Sequence, residues 1–528
     1  MATPMATVST RTPLPFPTVA GGGVARKVCL IIPPSAFLLD ERVFVSLGIL
    51  KIASVLEQAG HVVRLLDLSG IKNYLDALAF HLANSDDEVI GITSTTPQLP
   101  SVFEIAREIR RRRPDLRLIL GGPHVTLTYA AVKLERKLGR QTKGRASRAA
   151  AQLEGMFDTL VAGDGEIAIF RAIEPNAPQV IDGDDNKGEF FMSDEVYSAS
   201  PWPARHLVDM SSYKYAIEGK SATSLIAQLG CPFNCGFCGG RNSKSLRVIR
   251  TRTIESVIAE MELIYRTYGH TAFMFYDDEL NVSKSMVDLM NAIADLQARL
   301  GVEFRLRGFV KAELFTDAQA KAMYRAGFRW LLCGFEAANP RILTNIAKRA
   351  TLDDNTRAVE IARRHGLKVK ALMSVGHPGE NERSAQDVRD WLVRVGVDDF
   401  DCTIITTYPG TPYYDLAVPH EKLPGVWTYT QDATGDRLHA YEVDFATTPE
   451  YYKGDPDGGY SAFVFTDFVD SQELVRLRDW IERDVRSTLD IPFNPSRAAL
   501  RFEHTMGQGL PGFILRSSSP APQALSKS

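Results

Sequence analysis

Short apolar runs alternate with longer amphipathic stretches through most of this chain, the pattern of buried strands separated by helices. Residues 28–32 (VCLII) close on Pro33-Pro34 and predict a first strand. Residues 47–59 place Leu50, Ala53, Val55 and Leu56 at helical spacing and end on Gly60, a helix stop. Residues 62–68, 89–93, 116–120 and 158–162 predict four more strands, with a basic-tailed helix over 102–113. Such alternation implies an α/β fold with a Rossmann-like, doubly wound parallel sheet. Ligands of these sheets bind outside the carboxyl ends of the strands. Thr93-Ser94-Thr95-Thr96, Gly121-Gly122-Pro123-His124 and Gly163-Asp164-Gly165-Glu166 fall there.

A second alternating block starts near residue 221. Strands are predicted over 224–229, 272–276, 304–309, 330–334, 369–375 and 403–407, with helices over 254–268, 286–299 and 317–326. Six β/α units of this kind make a partial barrel, and function in such barrels sits at the carboxyl ends of the strands. Residues 133–152, rich in Lys, Arg and Ala, predict a solvated helix or insertion. Residues 186–220 predict a connector, residues 432–460 are rich in Asp, Gly, Pro and Tyr, and residues 471–489 predict one helix. The expected organisation is a disordered leader at 1–26, a first domain at 27–185 and a linker at 186–220. A barrel at 221–415 and a small C-terminal extension at 416–528 complete it.

Composition narrows the function. At 528 residues, 45% hydrophobic and 24% charged, the chain is expected to be a soluble protein of two or three domains. A net charge of −3 gives no electrostatic case for nucleic acid or an anionic membrane. No apolar run reaches the roughly 20 residues of a membrane span, and residues 1–25 lack a signal peptide's apolar stretch, so the cytoplasm is the default. Six cysteines and no secretory leader argue against a disulfide framework.

Three of those cysteines stand together in Gly230-Cys231-Pro232-Phe233-Asn234-Cys235-Gly236-Phe237-Cys238. The spacing C-x3-C-x2-C lets a compact loop wrap three thiolates around one face of a cubane cluster, leaving one iron open. A zinc knuckle is the rival, but it needs a fourth ligand near by. The next histidine is His270 and the next cysteine Cys333. Cys333 and Cys402 read as buried apolar residues.

With Phe237 before its last cysteine, this loop resembles that of the radical S-adenosylmethionine enzymes. The resemblance implies that Cys231, Cys235 and Cys238 hold a 4Fe–4S cluster whose open iron chelates S-adenosylmethionine. Phe237 then approaches the adenine or packs the loop. Glu336, in a G-x-E segment, is placed at the ribose or amino group. Gly376 and Gly379, in Gly376-His377-Pro378-Gly379-Glu380, shape the adenine side, with Glu380 capping the next helix. Arg307 matches an arginine near the cofactor carboxylate, or makes a salt bridge inside the barrel. Asp277 and Asp278 face the substrate or cap a turn. Tyr408-Pro409-Gly410-Thr411-Pro412 forms pocket wall.

The first block resembles the cobalamin-binding domain that precedes the barrel in one class of this family. Leu47, Gly48, Thr93, Ser94, Thr95, Gly121, Gly122, His124, Gly163, Gly165 and Glu166 carry that resemblance. None of the 10 histidines has Asp two positions before it, so the D-x-H-x-x-G motif of histidine-ligated cobalamin proteins is absent. His124 is either a polar contact or a cobalt ligand.

The resemblance covers residues 28–413 and implies a cobalamin-dependent radical methyltransferase. One S-adenosylmethionine would methylate cobalamin, and a second would give the deoxyadenosyl radical that opens an unactivated carbon of a natural-product or lipid substrate. An electron donor such as flavodoxin or ferredoxin is implied as partner. A non-methylating oxidative cyclase is the alternative. A tRNA-modifying enzyme is disfavoured by the lack of a basic tail. A non-catalytic metal- or cobalamin-binding protein would require the ordered motifs to be coincidences.

Overall fold

The computed structural model describes residues 24–35, 38, 40–140, 144–448, 459–493, 502–504 and 510–518. All of the expected leader except residues 24–26 lies outside the described residues, as do the last ten. The first block alternates β1 (Lys27–Ile32), α1 (Leu47–Ala59), β2 (Val62–Asp67), α2 (Tyr74–Asn84), β3 (Val89–Thr93) and α3 (Leu99–Arg112). It continues through β4 (Arg117–Gly121), α4 (Pro123–Lys137), α5 (Arg145–Glu154), β5 (Thr159–Gly163), α6 (Gly165–Ala172) and β6 (Val180–Gly183). The strands pair in parallel in the order β2-β1-β3-β4-β5-β6, with helices burying aliphatic side chains on both faces.

The expected connector carries a short helix, α7 (Asp194–Ala199), and β7 (Ala216–Ile217). The barrel follows with β8 (Lys220–Leu225), the short β9 (Gln228–Leu229) and β10 (Arg250–Thr251), then α8 (Ile254–Tyr268), β11 (Ala272–Phe275), α9 (Met286–Leu300), β12 (Arg305–Phe309) and α10 (Asp317–Ala326). Next come β13 (Phe328–Glu336), α11 (Pro340–Ile346), α12 (Leu352–Arg364), β14 (Lys368–Val375), α13 (Glu382–Val395) and β15 (Asp399–Ile404). Strands β8, β11, β12, β13, β14 and β15 form a curled, all-parallel half-barrel, edged by the antiparallel β7. Phe273, Phe275, Phe304, Phe328, Phe335 and Trp391 fill the layer between its convex face and the helices.

A four-stranded antiparallel meander follows α14 (Pro412–Asp415): β16 (Val418–Pro419), β17 (Val426–Thr430), β18 (Arg437–Tyr441) and β19 (Val464–Thr466). Helix α15 (Ser471–Leu489) covers β15 and α13. Finally β20 (Leu515–Ser517) returns to the first sheet and pairs antiparallel with its edge strand β2.

The structure corrects three expectations. The first barrel strand spans Lys220–Leu225, not 224–229. The Asp277 carboxylate accepts the amide N–H of Ala227 and Gln228, which takes those residues out of the ladder. Residues 133–152 are not simply a solvated face. Glu135 is buried and accepts the N–H of Ala146 and Ser147, and Arg145 is buried between the Tyr414 and Trp427 rings. The sixth barrel strand spans Asp399–Ile404, not 403–407. The segment 432–460 contains β18, and its residues 449–458 lie outside the described residues.

Candidate active site

The carboxyl ends of β3, β4 and β5 open into a cavity of about 330 Å3 facing the barrel. Its base is backbone and aliphatic carbon: Gly48, Gly91, Gly121, Gly122 and Gly163 among Ile49, Ile52, Ile92 and Val161. Two glycines are forced by close contact. A Cβ on Gly122 (φ 96°) would lie 2.7 Å from the Ser94 nitrogen, and one on Gly163 (φ 86°) 2.3 Å from the Gly183 carbonyl carbon. Gly48 differs, since a Cβ there meets nothing within 4 Å and projects into open space.

Of the residues expected around cobalamin, Gly48, Thr93, Gly121, Gly122, Gly163, Gly165 and Glu166 do line this cavity. Leu47, Ser94, Thr95 and His124 are not among its lining residues. Leu47 is buried in the α1 packing. Ser94 is fully buried, its N–H donated to Gly121 O and its carbonyl accepting from His124 N. Thr95 caps the following turn with Gln98. His124 lines a separate hollow of about 170 Å3 behind α4, its ring nitrogens 3.0 Å from Thr96 Oγ1 and 3.3 Å from Thr128 Oγ1. Burial pushes its pKa down to about 3, so it is neutral. No histidine is among the residues that line the cavity.

Across the same cavity lie Leu229, Gly230, Ser245, Leu246, Tyr276 and Asp278 of the barrel domain. Gly230 leads directly into the cysteine loop, so one wall belongs to both sites. The loop is pinned at several points. Asp278 accepts the Gly230 N–H at 2.9 Å, Gly236 N–H donates to Ile346 O, and Tyr413 N–H donates to Gly236 O. Arg247 donates to the carbonyls of Phe233 and Pro232, and Arg241 to that of Asn234. Cys231 and Cys235 are half-buried, and Cys238 is exposed. Desolvation pushes Cys231 up to about 11 and Cys238 up to about 12, and the Cys235 and Cys231 sulfurs further raise Cys238. Three adjacent thiols that resist ionising singly suit a cationic centre that binds all three as thiolates.

Beside the loop runs a chain of polar groups. Lys348 Nζ is 3.0 Å from Glu336 Oε1, Ser374 Oγ donates to Glu336 Oε2 at 2.9 Å, and His377 Nε2 lies 2.8 Å from the same Ser374 oxygen. Desolvation lowers the His377 pKa to about 3, and Lys348 lowers it further. Neutral, with Ser374 donating to Glu336, the ring gives its Nε2 proton to Ser374 and leaves Nδ1 as an acceptor. That atom is buried with no partner among the described residues, as is Glu279 Oε2. Glu336 holds φ 67° without being glycine, a strained conformation typical of functional sites. Phe237 packs edge-on against His377 at 5.5 Å. Orphaned acceptors beside three thiols fit a ligand that brings N–H donors, as S-adenosylmethionine does.

Other expected residues are engaged differently. Asp277 is fully buried and committed to backbone amides, so it shapes the loop's approach and does not face a substrate. Arg307 lies on the concave face of β12 beside the Tyr215 phenol and makes no ion pair among the described residues. Glu380 does not cap α13. Asn381 does, accepting the Ser384 N–H, while the buried Glu380 accepts from Ser384 Oγ. Gly376 and Gly379 (φ 91° and 81°) sit under the C-terminal segments, where Cβ atoms would meet Val464 Cγ2 at 3.2 Å and Asp436 Oδ2 at 2.6 Å. Sequence reasoning missed Lys348, Ser374 and Arg250, the last joined to Asp164 in a buried ion pair across the domains. It also missed Asn345, whose Nδ2 donates to Pro378 O and Asp436 Oδ2, both at 2.7 Å.

Comparison with known proteins agrees with this geometry. The Radical SAM superfamily matches residues 225–392, and the B12 binding domain matches residues 41–153. An uncharacterized methyltransferase, PH0819 of Pyrococcus horikoshii, is 25% identical over 75% of this chain and 84% of its own. The hopanoid C-3 methylase of Methylococcus capsulatus is 24% identical over 71% of this chain and 69% of its own. The anaerobic magnesium-protoporphyrin IX monomethyl ester cyclase of Rubrivivax gelatinosus is 23% identical over 58% of this chain and 54% of its own. Among solved structures, the radical S-adenosylmethionine methyltransferase TsrM of Kitasatospora setae, with cobalamin and a 4Fe–4S cluster bound, shares the fold. Its TM-score is 0.57, at 19% identity, over 78% of this chain and 81% of that one.

Proposed function

Since the chain belongs to the cobalamin-binding radical S-adenosylmethionine enzymes, we propose that it transfers a methyl group to an unactivated carbon of a small natural-product or lipid substrate. The observation that carries this reading is the shared wall: Gly230 and Asp278 border the glycine-floored cavity, Gly230 leads into the cysteine loop, and Asp278 accepts its N–H. On this reading residues 27–185 are the cobalamin domain, 186–220 the linker, 221–415 the radical domain and 416–528 the extension. Bound together, the cofactors supply a methyl group at cobalt and a deoxyadenosyl radical that takes hydrogen from carbon.

The chain's own residues bind, orient and exclude water. Cys231, Cys235 and Cys238 hold the cluster. Glu336 and His377, fixed through Ser374, receive the ribose hydroxyls and the amino groups of S-adenosylmethionine, with Phe237 beside them. Gly48, Gly121, Gly122 and Gly163 let the corrin settle against backbone. The substrate approaches past Phe44, Tyr276 and Phe309, whose rings follow one another at 5.2 and 6.2 Å. Phe44 and Tyr276 are 38% and 46% exposed, an aromatic frame suited to an apolar body.

The test is anaerobic reconstitution with iron, sulfide and cobalamin, followed by turnover with methyl-deuterated S-adenosylmethionine on extracts of apolar metabolites. A product gaining one deuterated methyl group, with equal amounts of S-adenosylhomocysteine and 5′-deoxyadenosine, supports the reading. Deoxyadenosine without S-adenosylhomocysteine would sink methylation in favour of an oxidative cyclase, the reading favoured by the cyclase relative. Neither product would sink both.

A further inference from the structure

We propose that the concave floor of the half-barrel is a carboxylate subsite, so that the substrate is an apolar acid held by Arg307 and Tyr215. The inference deepens the functional reading above and rests on it, since it names the substrate class of the same site. Side chains alternate between the two faces of each barrel strand, and register decides which of them stand level. Met274 on β11 stands between Ser224 on β8 and Arg307 on β12, and Arg307 is level with Trp330 on β13. Most of this floor is apolar: Ala222, Met274 and Leu332 cluster there with the Tyr215, Phe309 and Trp330 rings.

The cations around the floor are paired, with one exception. Arg305 meets Glu218 and Glu303, Lys368 meets Glu218, and Lys370 meets Asp399 and Asp401. Arg307 is half-buried and makes no ion pair among the described residues, and its Nε is buried without a hydrogen-bond partner. Two hydroxyls near by are orphaned as well. Tyr215 is 9% exposed and Ser224 2%, and neither oxygen has a partner among the described residues. Desolvation raises the pKa of the Tyr215 phenol, with the Arg307 charge beside it acting the other way, so the phenol keeps its proton. Buried polar groups left unpaired are costly until a ligand completes them. A guanidinium and a phenol both donate, and a carboxylate accepts from both while matching the one uncompensated charge.

The subsite lies deeper than the groups assigned to S-adenosylmethionine. Trp330, level with Arg307, precedes Glu336 by six residues on β13, roughly 20 Å at the rise of a strand. That depth leaves the guanidinium to the substrate. Toward the cofactors, Tyr276 comes two residues after Met274, about 7 Å further along, and borders the glycine-floored cavity. Phe44 packs edge-on against Tyr215 at 4.8 Å, which joins the aromatic frame to the anchor. An acid held at Arg307 therefore lays its body along Phe44 and Tyr276 and presents carbon at the mouth of the cavity.

The test is anaerobic equilibrium dialysis of the reconstituted holoenzyme against a naphthylbutanoate, the corresponding alcohol and the corresponding phosphate ester. The parent is expected to bind the acid at least about tenfold more tightly than the alcohol. Arg307→Gln, which removes the charge and keeps a donor, should erase that preference. Tyr215→Phe should weaken acid binding roughly threefold to tenfold and leave the alcohol where it was. S-adenosylmethionine affinity, measured alongside, is expected to hold in both variants. A parent that does not distinguish acid from alcohol would overturn the proposal, as would a preference that survives Arg307→Gln. A tenfold loss of S-adenosylmethionine affinity in Arg307→Gln would also overturn it, by placing the arginine at the cofactor. Tighter binding of the phosphate ester than of the acid would overturn the carboxylate assignment. An Arg307-dependent preference for the acid in an enzyme that forms neither 5′-deoxyadenosine nor S-adenosylhomocysteine would leave the subsite standing and sink the functional reading instead.

Discussion

Glycines and a ring of aliphatic side chains line the cavity at the end of the first sheet, whereas a lysine, glutamates, a serine and a histidine surround the cysteine loop at the end of the second. The cavity depends on atoms that are missing. On the proposed reading a bulky ligand such as a corrin is received there by shape, and apolar carbon contributes through area removed from water. The loop depends on atoms that are present and fixed. On the same reading a small charged ligand is received there by donors and acceptors already held in place, among them buried acceptors such as His377 Nδ1 that have no partner among the described residues. Substitutions should therefore act by adding atoms at one site and by removing them at the other.

The largest effects separate the two sites completely. Cys235→Ala is expected to bring bound iron to background and abolish S-adenosylmethionine cleavage while cobalamin uptake persists, read by metal analysis. Gly48→Leu should do the reverse. A Cβ there meets nothing within 4 Å and Gly48 lines the cavity, so the added side chain should fill it and lower cobalamin affinity roughly ten- to hundredfold, about the 1–3 kcal/mol of overpacking. Iron content and melting temperature hold. If both variants lose both metals, the sites are not independent and the contrast fails.

A smaller effect sharpens the polar side. Desolvation pushes the buried Glu380 carboxyl up to about 7, against the Ser384 hydroxyl, which lowers it. Its ordinary value is 4.5, so between about pH 4.5 and 7 the unfolded chain has released the proton that the folded chain keeps. Stability then falls as pH rises through that window and levels off above it, by up to about 3 kcal/mol from this one group. Glu380→Gln should flatten the corresponding part of the melting-temperature profile, and an unchanged slope would count against that burial.

The smallest expected effect is none. His124 faces the hollow behind α4, so His124→Gln should leave the spin-resonance spectrum of bound cob(II)alamin unchanged. A spectrum altered at the axial ligand would place the histidine in the cavity after all.

The two sites also differ in how far they were legible. The cysteine loop announces itself because cluster ligation demands one residue type at fixed spacing. The strand-end glycines are readable because close backbone contact excludes any side chain, as at Gly122 and Gly163. Lys348, Ser374 and Asn345 gave no signal, since single polar residues carry no period and acquire meaning only from partners distant in the chain. Arg250 and Asp164 are 86 positions apart, and Asn345 and Asp436 are 91. His124 misled because a glycine-flanked histidine after a strand looks the same whichever side of α4 its ring occupies. The charged run at 133–152 misled because charge predicts solvent, yet Glu135 and Arg145 are satisfied internally. Most helix and strand positions followed from apolar spacing; two strands were misplaced, 224–229, where a side chain interrupts the ladder, and 403–407, which lies at Asp399–Ile404.

Pairing of β20 with β2 has a consequence for how the protein is made. Strand β2 emerges from the ribosome early, and the segment that closes its open edge comes roughly 450 residues later, on the order of tens of seconds at about 5–20 residues per second. Through that interval the nascent first sheet carries an unpaired rim of the kind that recruits foreign strands. Biosynthesis of this enzyme thus includes a vulnerable wait, and slow translation or lack of chaperones should cost soluble yield before either cofactor has been loaded.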